Sequence, residues 1–250
     1  MCVAAIAWQA HPRWHLVAIG NRDEYHDRPA APLAHWNDEA DVIAGRDLRS
    51  GGTWLGVSEA GRFALVTNRR GFGLADPAKA SRGALVTDML SGRADPAEIA
   101  PGDYNPFNLI TADPAKAHFL TNRPEDIATP LAHGIYGLSN GALDEPWPKT
   151  LHLKAALLDW LGAGQDGFAP LFAALRSETL PEAGIHSREP SDVPLEAAET
   201  PPFIRDPGYG TRCSTVIAID STGSGHIVER RFSARGEDTG ETALTFAWPA

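Results

Sequence analysis

Apolar residues in the first part of the chain fall in short runs that read as strands. Val3–Trp8 is continuous, and Trp14–Ile19 follows after the turn-like Ala10-His11-Pro12-Arg13, so the two predict a hairpin at the centre of a sheet. Val42–Ala44, Thr53–Val57 and Phe63–Thr67 continue the strand signal, with Gly51-Gly52 and Glu59-Ala60-Gly61 as turns between them. At Ser81 the period changes. Ala84, Leu85, Met89 and Leu90 recur at helical spacing between a Ser81 N-cap and a Gly92 stop. Strands return at Phe107–Thr111, Ala117–Leu120 and Ile135–Leu138. Two helices follow, Trp147–Leu161 and Phe168–Leu175, the first expected to bury Leu151, Ala155, Leu158 and Trp160. From Pro181 to Tyr209 the chain is rich in proline and acid and reads as a long surface excursion. Val216–Ile219 and His226–Phe232 form a last hairpin, and Leu244–Trp248 closes the pattern.

Strands, then helices, then strands imply layers rather than alternating βαβ units. The fold class is α+β, and two stacked antiparallel sheets between helical layers satisfy the order, as does a simpler sandwich.

Composition narrows the function. The chain has 250 residues and a net charge of −10 spread along its length, which argues against a nucleic-acid partner and against docking on anionic lipid by charge. Two cysteines, Cys2 and Cys213, make no disulfide framework, so a reducing compartment is expected. The opening apolar run lacks the features of an export signal and no run is long enough to span a bilayer, which gives the cytoplasm as the expected location. No apolar patch marking an oligomer is legible. No zinc, calcium or Walker pattern is present, and Gly71-Phe72-Gly73 lacks the following helix that a phosphate cradle needs, so no metal is expected.

The candidate chemistry lies at the start. Cysteine is small enough that a preceding initiator methionine is normally removed, which would leave Cys2 with a free α-amine beside its thiol. Base and nucleophile would then sit on one residue. Asn21-Arg22-Asp23-Glu24 comes just after the second apolar run, where a hairpin returns it beside Cys2. A guanidinium there favours thiolate, and a carboxylate can hold the amine.

Asn21-Arg22-Asp23-Glu24 after an apolar strand, with Cys2 at the start, resembles the NRDE family, also called transport and Golgi organisation 2. Further matches are Gly51–Val57, Val66–Arg69, Gly137–Asn140 and Tyr209–Thr215, in order over most of the chain. The family in turn resembles N-terminal-nucleophile (Ntn) hydrolases of the bile salt hydrolase and penicillin V acylase type. That resemblance implies a four-layer α/β/β/α fold, a single domain over residues 1–250, and cleavage of a linear or non-peptide amide by a cysteine. It requires no cofactor. Cys2 matches the nucleophile, Arg22 the first arginine, Asn68 and Asn140 the two asparagines, and Arg212 the late arginine. Asn68 would donate to the oxyanion, Asn140 would accept a hydrogen bond from the α-amine or orient the substrate, and Arg212 would order the carboxylate and the Asn side chains. The aspartate of those hydrolases stands three residues after the arginine, where this chain has Tyr25. Asp23 is taken as its replacement, with Glu24 the other carboxylate in reach, or the register shifts so that Asn21 takes the place of Arg22. The resemblance also implies a second class of function, a carrier of haem, acyl-CoA or lipid. Haem would take a histidine or Cys2 as axial ligand and arginines on its propionates.

Each residue has a plain structural reading too. Asn68 suits a left-handed turn, Asn140-Gly141 is a common turn dipeptide, Arg212 suits a buried ion pair, and Trp54 suits a core. The pocket walls are expected from Leu74–Lys79 and Pro181–Tyr209.

Overall fold

The apolar runs pair into two antiparallel sheets, seen in a computed structural model that describes residues 2–39, 41–180, 182–184 and 199–249. The strands are β1 (Cys2–His11), β2 (Trp14–Tyr25), β3 (Ala30–His35), β4 (Val42–Asp47), β5 (Leu55–Ser58), β6 (Arg62–Asn68), β7 (Phe107–Ala112), β8 (Ala117–Thr121), β9 (Ile127–Pro130), β10 (Gly134–Leu138), β11 (Tyr209–Asp220), β12 (Ser224–Phe232) and β13 (Asp238–Ala247). One sheet has the order β10-β1-β2-β11-β12-β13 and the other β3-β4-β5-β6-β7-β8-β9. The β1–β2 hairpin lies inside its sheet, as the unbroken apolar runs predict.

Three buried clusters separate four layers. Ile6, Leu16 and Ile217 of the first sheet meet Ile43, Val57, Leu65 and Ile110 of the second. The outer face of the first sheet, with Val17 and Ile19, packs on helices α2 (Pro148–Gly162) and α3 (Ala169–Leu175) through Leu153, Leu157 and Leu171. The outer face of the second, with Ala44, Ala64 and Val66, packs on α1 (Arg82–Ser91) through Leu85, Met89 and Leu90. The order α/β/β/α follows. Strands covered on both faces need apolar residues at every position, which is why β1 and β2 read as continuous runs. Among the described residues no helix is long and apolar enough to cross a membrane.

The expected caps of α1 are in place: the Ser81 hydroxyl accepts from the Gly83 N–H, and Gly92 takes the left-handed conformation. In α2 the buried face differs from expectation. Leu153, Leu157, Trp160 and Leu161 are buried whereas Leu158 is 58 % exposed. The helix carries two apolar stripes of similar spacing, and contact with the first sheet selects between them. Of the Pro181–Tyr209 excursion, Pro181 and 185–198 lie outside the described residues. Its end is not on the surface: Phe203 and Ile204 are buried, with Phe203 edge-on to Phe232 at 4.8 Å.

The main difference is the end of β2. Asn21-Arg22-Asp23-Glu24 is not a turn after the strand but part of it, hydrogen-bonded to β1 on one side and β11 on the other. Pairing from both sides holds Asn21 and Arg22, and Asp23 pairs with β11; all three are buried.

Candidate active site

Cys2 opens β1 and stands directly opposite Arg22 on β2, which in turn stands opposite Cys213 on β11. Residues opposite one another share a face, so Cys2, Arg22 and Cys213 form a row on the side facing the second sheet. Cys2 and Cys213 are two strands apart, roughly 9.6 Å, too far for a disulfide; both thiols are free. At this end of the sandwich the packed core gives way to a cavity of ≈ 540 Å³, with Cys2, Arg22, Asp23, Glu24, Trp54 and Asn68 among its walls. Ala75, Asp76, Pro77 and Lys79 complete one side, as expected of their loop. None of the described residues of the 181–209 excursion takes part.

Arg22 is 5 % exposed, so its charge needs compensation. Its Nη2 donates to Asp47 Oδ2 at 2.7 Å, and its guanidinium lies 4.6 Å from the Trp54 ring. Asp47, at the end of β4, also accepts from Arg28 Nε at 2.6 Å and from the backbone N–H groups of Arg49 and Ser50, both at 3.0 Å. Burial pushes the Asp47 carboxyl up, but Arg28, the Ser50 amide and Arg22 outweigh it and hold the carboxyl below its ordinary range. Glu24 is 3.9 Å from Arg22 and 3.7 Å from Arg28, beyond hydrogen-bond distance. Asp47 is therefore the anchor of the arginine, and no motif around Cys2 points to it. Its only local signal is an acidic residue closing a strand before Gly51-Gly52.

The Gly-Gly-Thr-Trp segment owes its glycine to packing. A Cβ on Gly52 would lie 2.3 Å from the carbonyl carbon of Gly83 in the first turn of α1. Trp54 is then laid across the sheet interface, where a Cβ on Gly45 would meet its ring at 2.6 Å. Trp54 is half-buried, part core and part cavity wall.

Burial pushes the Cys2 thiol above its ordinary value. The positive chain terminus, the Asp23 backbone N–H and Arg22 oppose the rise, and the Asp23 charge adds to it. Asp23 is 3 % exposed; burial raises its carboxyl to about 6 against the pull of the chain terminus, Lys149, Thr211 and Arg22. Thr211 Oγ1 donates to Asp23 Oδ1 at 2.7 Å, and the Tyr209 hydroxyl donates to the Asp23 carbonyl at 2.7 Å. Asp23 rather than Glu24 is thus the carboxylate that acts on the Cys2 thiol. Asn21 faces the other way: its Nδ2 donates to the carbonyls of Leu175 and Pro202, both at 2.8 Å, and its Oδ1 accepts from Ser214 at 2.6 Å. Asn21 thus does not line the cavity that Arg22 enters.

Asn68, at the end of β6, is exposed and lines the cavity. Asn140 and Arg212 stand behind the walls. Asn140 is fully buried; its Nδ2 donates to the Asn68 carbonyl at 2.8 Å, and its own carbonyl accepts from the Arg70 N–H at 2.9 Å. The neighbouring Ser139 Oγ donates to the Cys2 carbonyl at 2.7 Å, and Thr67 Oγ1 donates to the Ser139 carbonyl at 2.6 Å. Asn108, which the sequence did not single out, donates to the Gly141 carbonyl at 2.9 Å. The Gly-Leu-Ser-Asn segment therefore ties the Cys2 strand to the Asn68 strand. Arg212 forms no ion pair among the described residues. It bulges from β11 between Thr211 and Cys213, and its Nη1 donates to the carbonyls of Tyr25, His26 and Arg28 at 3.0, 3.1 and 3.2 Å. It splints the segment that carries Arg28 to Asp47. Among the described residues no cluster of three or more His, Cys, Asp or Glu side chains is placed to hold a metal ion.

Comparison with known proteins agrees with the geometry. The sequence model of the family described as Transport and Golgi organisation 2 matches residues 1–234. The Transport and Golgi organization protein 2 homologs of Bos taurus and Homo sapiens are 33 % and 32 % identical, covering 95 % and 92 % of this chain and the same shares of their own. Among solved structures, the C2A mutant of the conjugated bile acid hydrolase from Clostridium perfringens superposes with a TM-score of 0.54 over 98 % of this chain and 92 % of its own, at 8 % identity. At that identity the likeness shows a shared Ntn-hydrolase fold.

Proposed function

Given that the chain belongs to the Transport and Golgi organisation 2 family and has an Ntn-hydrolase fold, we propose that it is an N-terminal-nucleophile cysteine hydrolase acting on the C–N bond of a small linear or non-peptide amide. The observation that carries this reading is the placement of Cys2 opposite Arg22 in one cavity with Asn68.

The reaction runs on the chain from which Met1 has been removed. The Cys2 α-amine, with an ordinary pKa of about 7.7–8.0, takes the Sγ proton, and the thiolate attacks the amide carbon. The carbonyl oxygen becomes an oxyanion and receives the Asn68 side-chain N–H. The α-ammonium passes its proton to the substrate nitrogen, the C–N bond breaks, and the amine leaves a thioester on Cys2. Water then attacks the thioester carbon and gives a proton to the α-amine. The C–S bond breaks, the thiolate is reprotonated, and the carboxylic acid departs. Amide and water have become acid and amine. Asp23 holds the α-ammonium, and Asn140, behind the wall, holds the Asn68 strand end. Asp47 and Trp54 hold Arg22, whose charge favours the thiolate.

A panel of acyl amides tests the reading. Cys2→Ala abolishes turnover and Cys2→Ser keeps a trace; full activity in Cys2→Ala overturns it.

The carrier reading draws support from the raised Cys2 thiol, which is unreactive until deprotonated. It fits an acyl-CoA or lipid ligand better than haem. No histidine is among the described residues lining the cavity, so haem would have Cys2 as its one soft ligand. A Soret titration without saturation near stoichiometric concentration removes haem.

A further inference from the structure

Each of the two sheets has two edge strands, and three of the four are blunted. β3 contains Pro32, its pairing with β4 shifts between Ala31 and Ala34, and the Leu33 N–H is spent on Glu229 Oε1 at 2.9 Å. β9 has four residues and ends in Pro130. On β10, Gly137 donates its N–H to Asp144 Oδ1 at 2.7 Å, and its carbonyl accepts from the Asp144 N–H at 2.9 Å. β13 is the exception. It runs for 10 residues without proline, lysine or arginine, and no described segment other than β12 is hydrogen-bonded to its backbone.

The ladder shows which of its groups are free. Trp248, just past the strand, donates its N–H to the Gly223 carbonyl at 2.7 Å. Pairing then runs in register from Ala247 opposite Ser224 to Gly240 opposite Arg231, where a shift closes the regular stretch. Hydrogen-bonded pairs alternate along an antiparallel ladder, so Phe246, Leu244 and Thr242 bond to β12. Ala247, Thr245, Ala243 and Glu241 therefore turn their N–H and C=O groups outward. The strand is held ready for pairing. Phe246 lies across Gly225, where a Cβ would meet its ring at 2.4 Å, and Arg230 and Arg231 donate to Glu241 and Thr242 at 2.6 and 2.8 Å.

This row is complementary to itself when turned end for end. A register centred on Leu244 sets Glu241 opposite Ala247 and Ala243 opposite Thr245, so every outward group meets an outward group. No charge then faces a like charge, whereas parallel pairing would set Glu241 beside its own counterpart. Leu244, partly buried against the central core, would meet its counterpart on the axis and join the two cores. We propose that β13 is a homodimer interface, in which two copies pair antiparallel about a two-fold axis at Leu244 and fuse their six-stranded sheets into one. The proposal is independent of the hydrolase reading.

Sedimentation equilibrium on the full chain tests it. Wild type should have twice the monomer mass and dissociate on dilution. Thr245→Pro removes an outward N–H and leaves the bonds to β12 in place, so it should be monomeric with a native circular dichroism spectrum. Where Thr245→Pro does not fold, cross-linking decides. In a Cys2→Ala background, Leu244→Cys should form a disulfide with its counterpart under added diamide, because directly opposed Cβ atoms lie roughly 4.5–5.5 Å apart. Ala247→Cys should not, since its counterpart is a strand's length away. A monomer at every concentration, an assembly that Thr245→Pro leaves intact, or a failure to cross-link at position 244 overturns the proposal.

Discussion

The side-chain amide of Asn140 donates to the backbone carbonyl of Asn68 at 2.8 Å, so the two asparagines stand in series: one faces the cavity and the other holds its strand end. Asn68→Ala should therefore cut kcat by about 100- to 1,000-fold, the usual effect of losing one oxyanion donor, while its exposed position keeps the loss of stability within about 0.5 kcal/mol. Asn140→Ala should lower kcat and the melting temperature together, because it leaves the Asn68 carbonyl without this donor. Steady-state kinetics beside thermal unfolding separates the two.

Asp47→Asn should be among the most destabilising single changes near the site. Removing one partner of a buried pair costs about 3–5 kcal/mol, since Arg22 is left with uncompensated charge. Glu24→Gln, whose oxygens lie 3.9 and 3.7 Å from Arg22 and Arg28, should cost under about 1 kcal/mol. Urea unfolding of both variants gives the comparison; equal losses would remove Asp47 as the anchor.

Asp23 predicts a pH dependence. Its carboxyl is raised from 3.8 to about 6 in the folded chain, so between those values the folded state binds more protons than the unfolded one. Its contribution to stability is then greatest below pH 4 and is lost as pH rises through 6, by about 3 kcal/mol. Asp47, held low, contributes in the opposite sense, so the wild-type profile alone is a sum. The difference between Asp23→Asn and wild type isolates Asp23. The variant should gain about 3 kcal/mol relative to wild type between pH 4 and pH 7. A difference that does not vary with pH would contradict the raised carboxyl.

Gly52→Ala should disturb the site from outside the cavity. The added Cβ would lie 2.3 Å from backbone of Gly83, and overpacking of this kind costs about 1–3 kcal/mol. Because the same loop lays Trp54 against Arg22, the variant should also lose activity. Unchanged stability would mean that the loop and α1 are free to separate.

What the sequence makes legible follows from where the information lies. Val3–Trp8, Leu16–Ile19 and Val216–Ile219 are apolar at consecutive positions because layers cover both faces of their sheet, and that pattern is local. The strands Ala30–His35 and Ile127–Pro130 are mostly exposed, lie at sheet edges and contain proline, so they carry no such pattern. Cys2, Arg22, Asp23 and Asn68 were legible because motif and strand order place them at one end of the sandwich. Asp47 was not, since its role depends on Arg22 reaching it from the other sheet and Arg28 from the turn between β2 and β3. Arg212 and Asn140 match by motif, yet only the hydrogen bonds show that they brace the site from behind its walls.

The central claim is that Cys2 becomes a free, reactive N-terminal nucleophile. It is tested most directly by the intact mass of the purified protein before and after brief treatment with iodoacetamide at neutral pH. The account predicts loss of Met1 and one rapid alkylation at Cys2. Cys213 stays unmodified, because burial and the neighbouring Glu229 push its thiol well above the ordinary value. Retention of Met1, or a Cys2 no more reactive than Cys213, would contradict it.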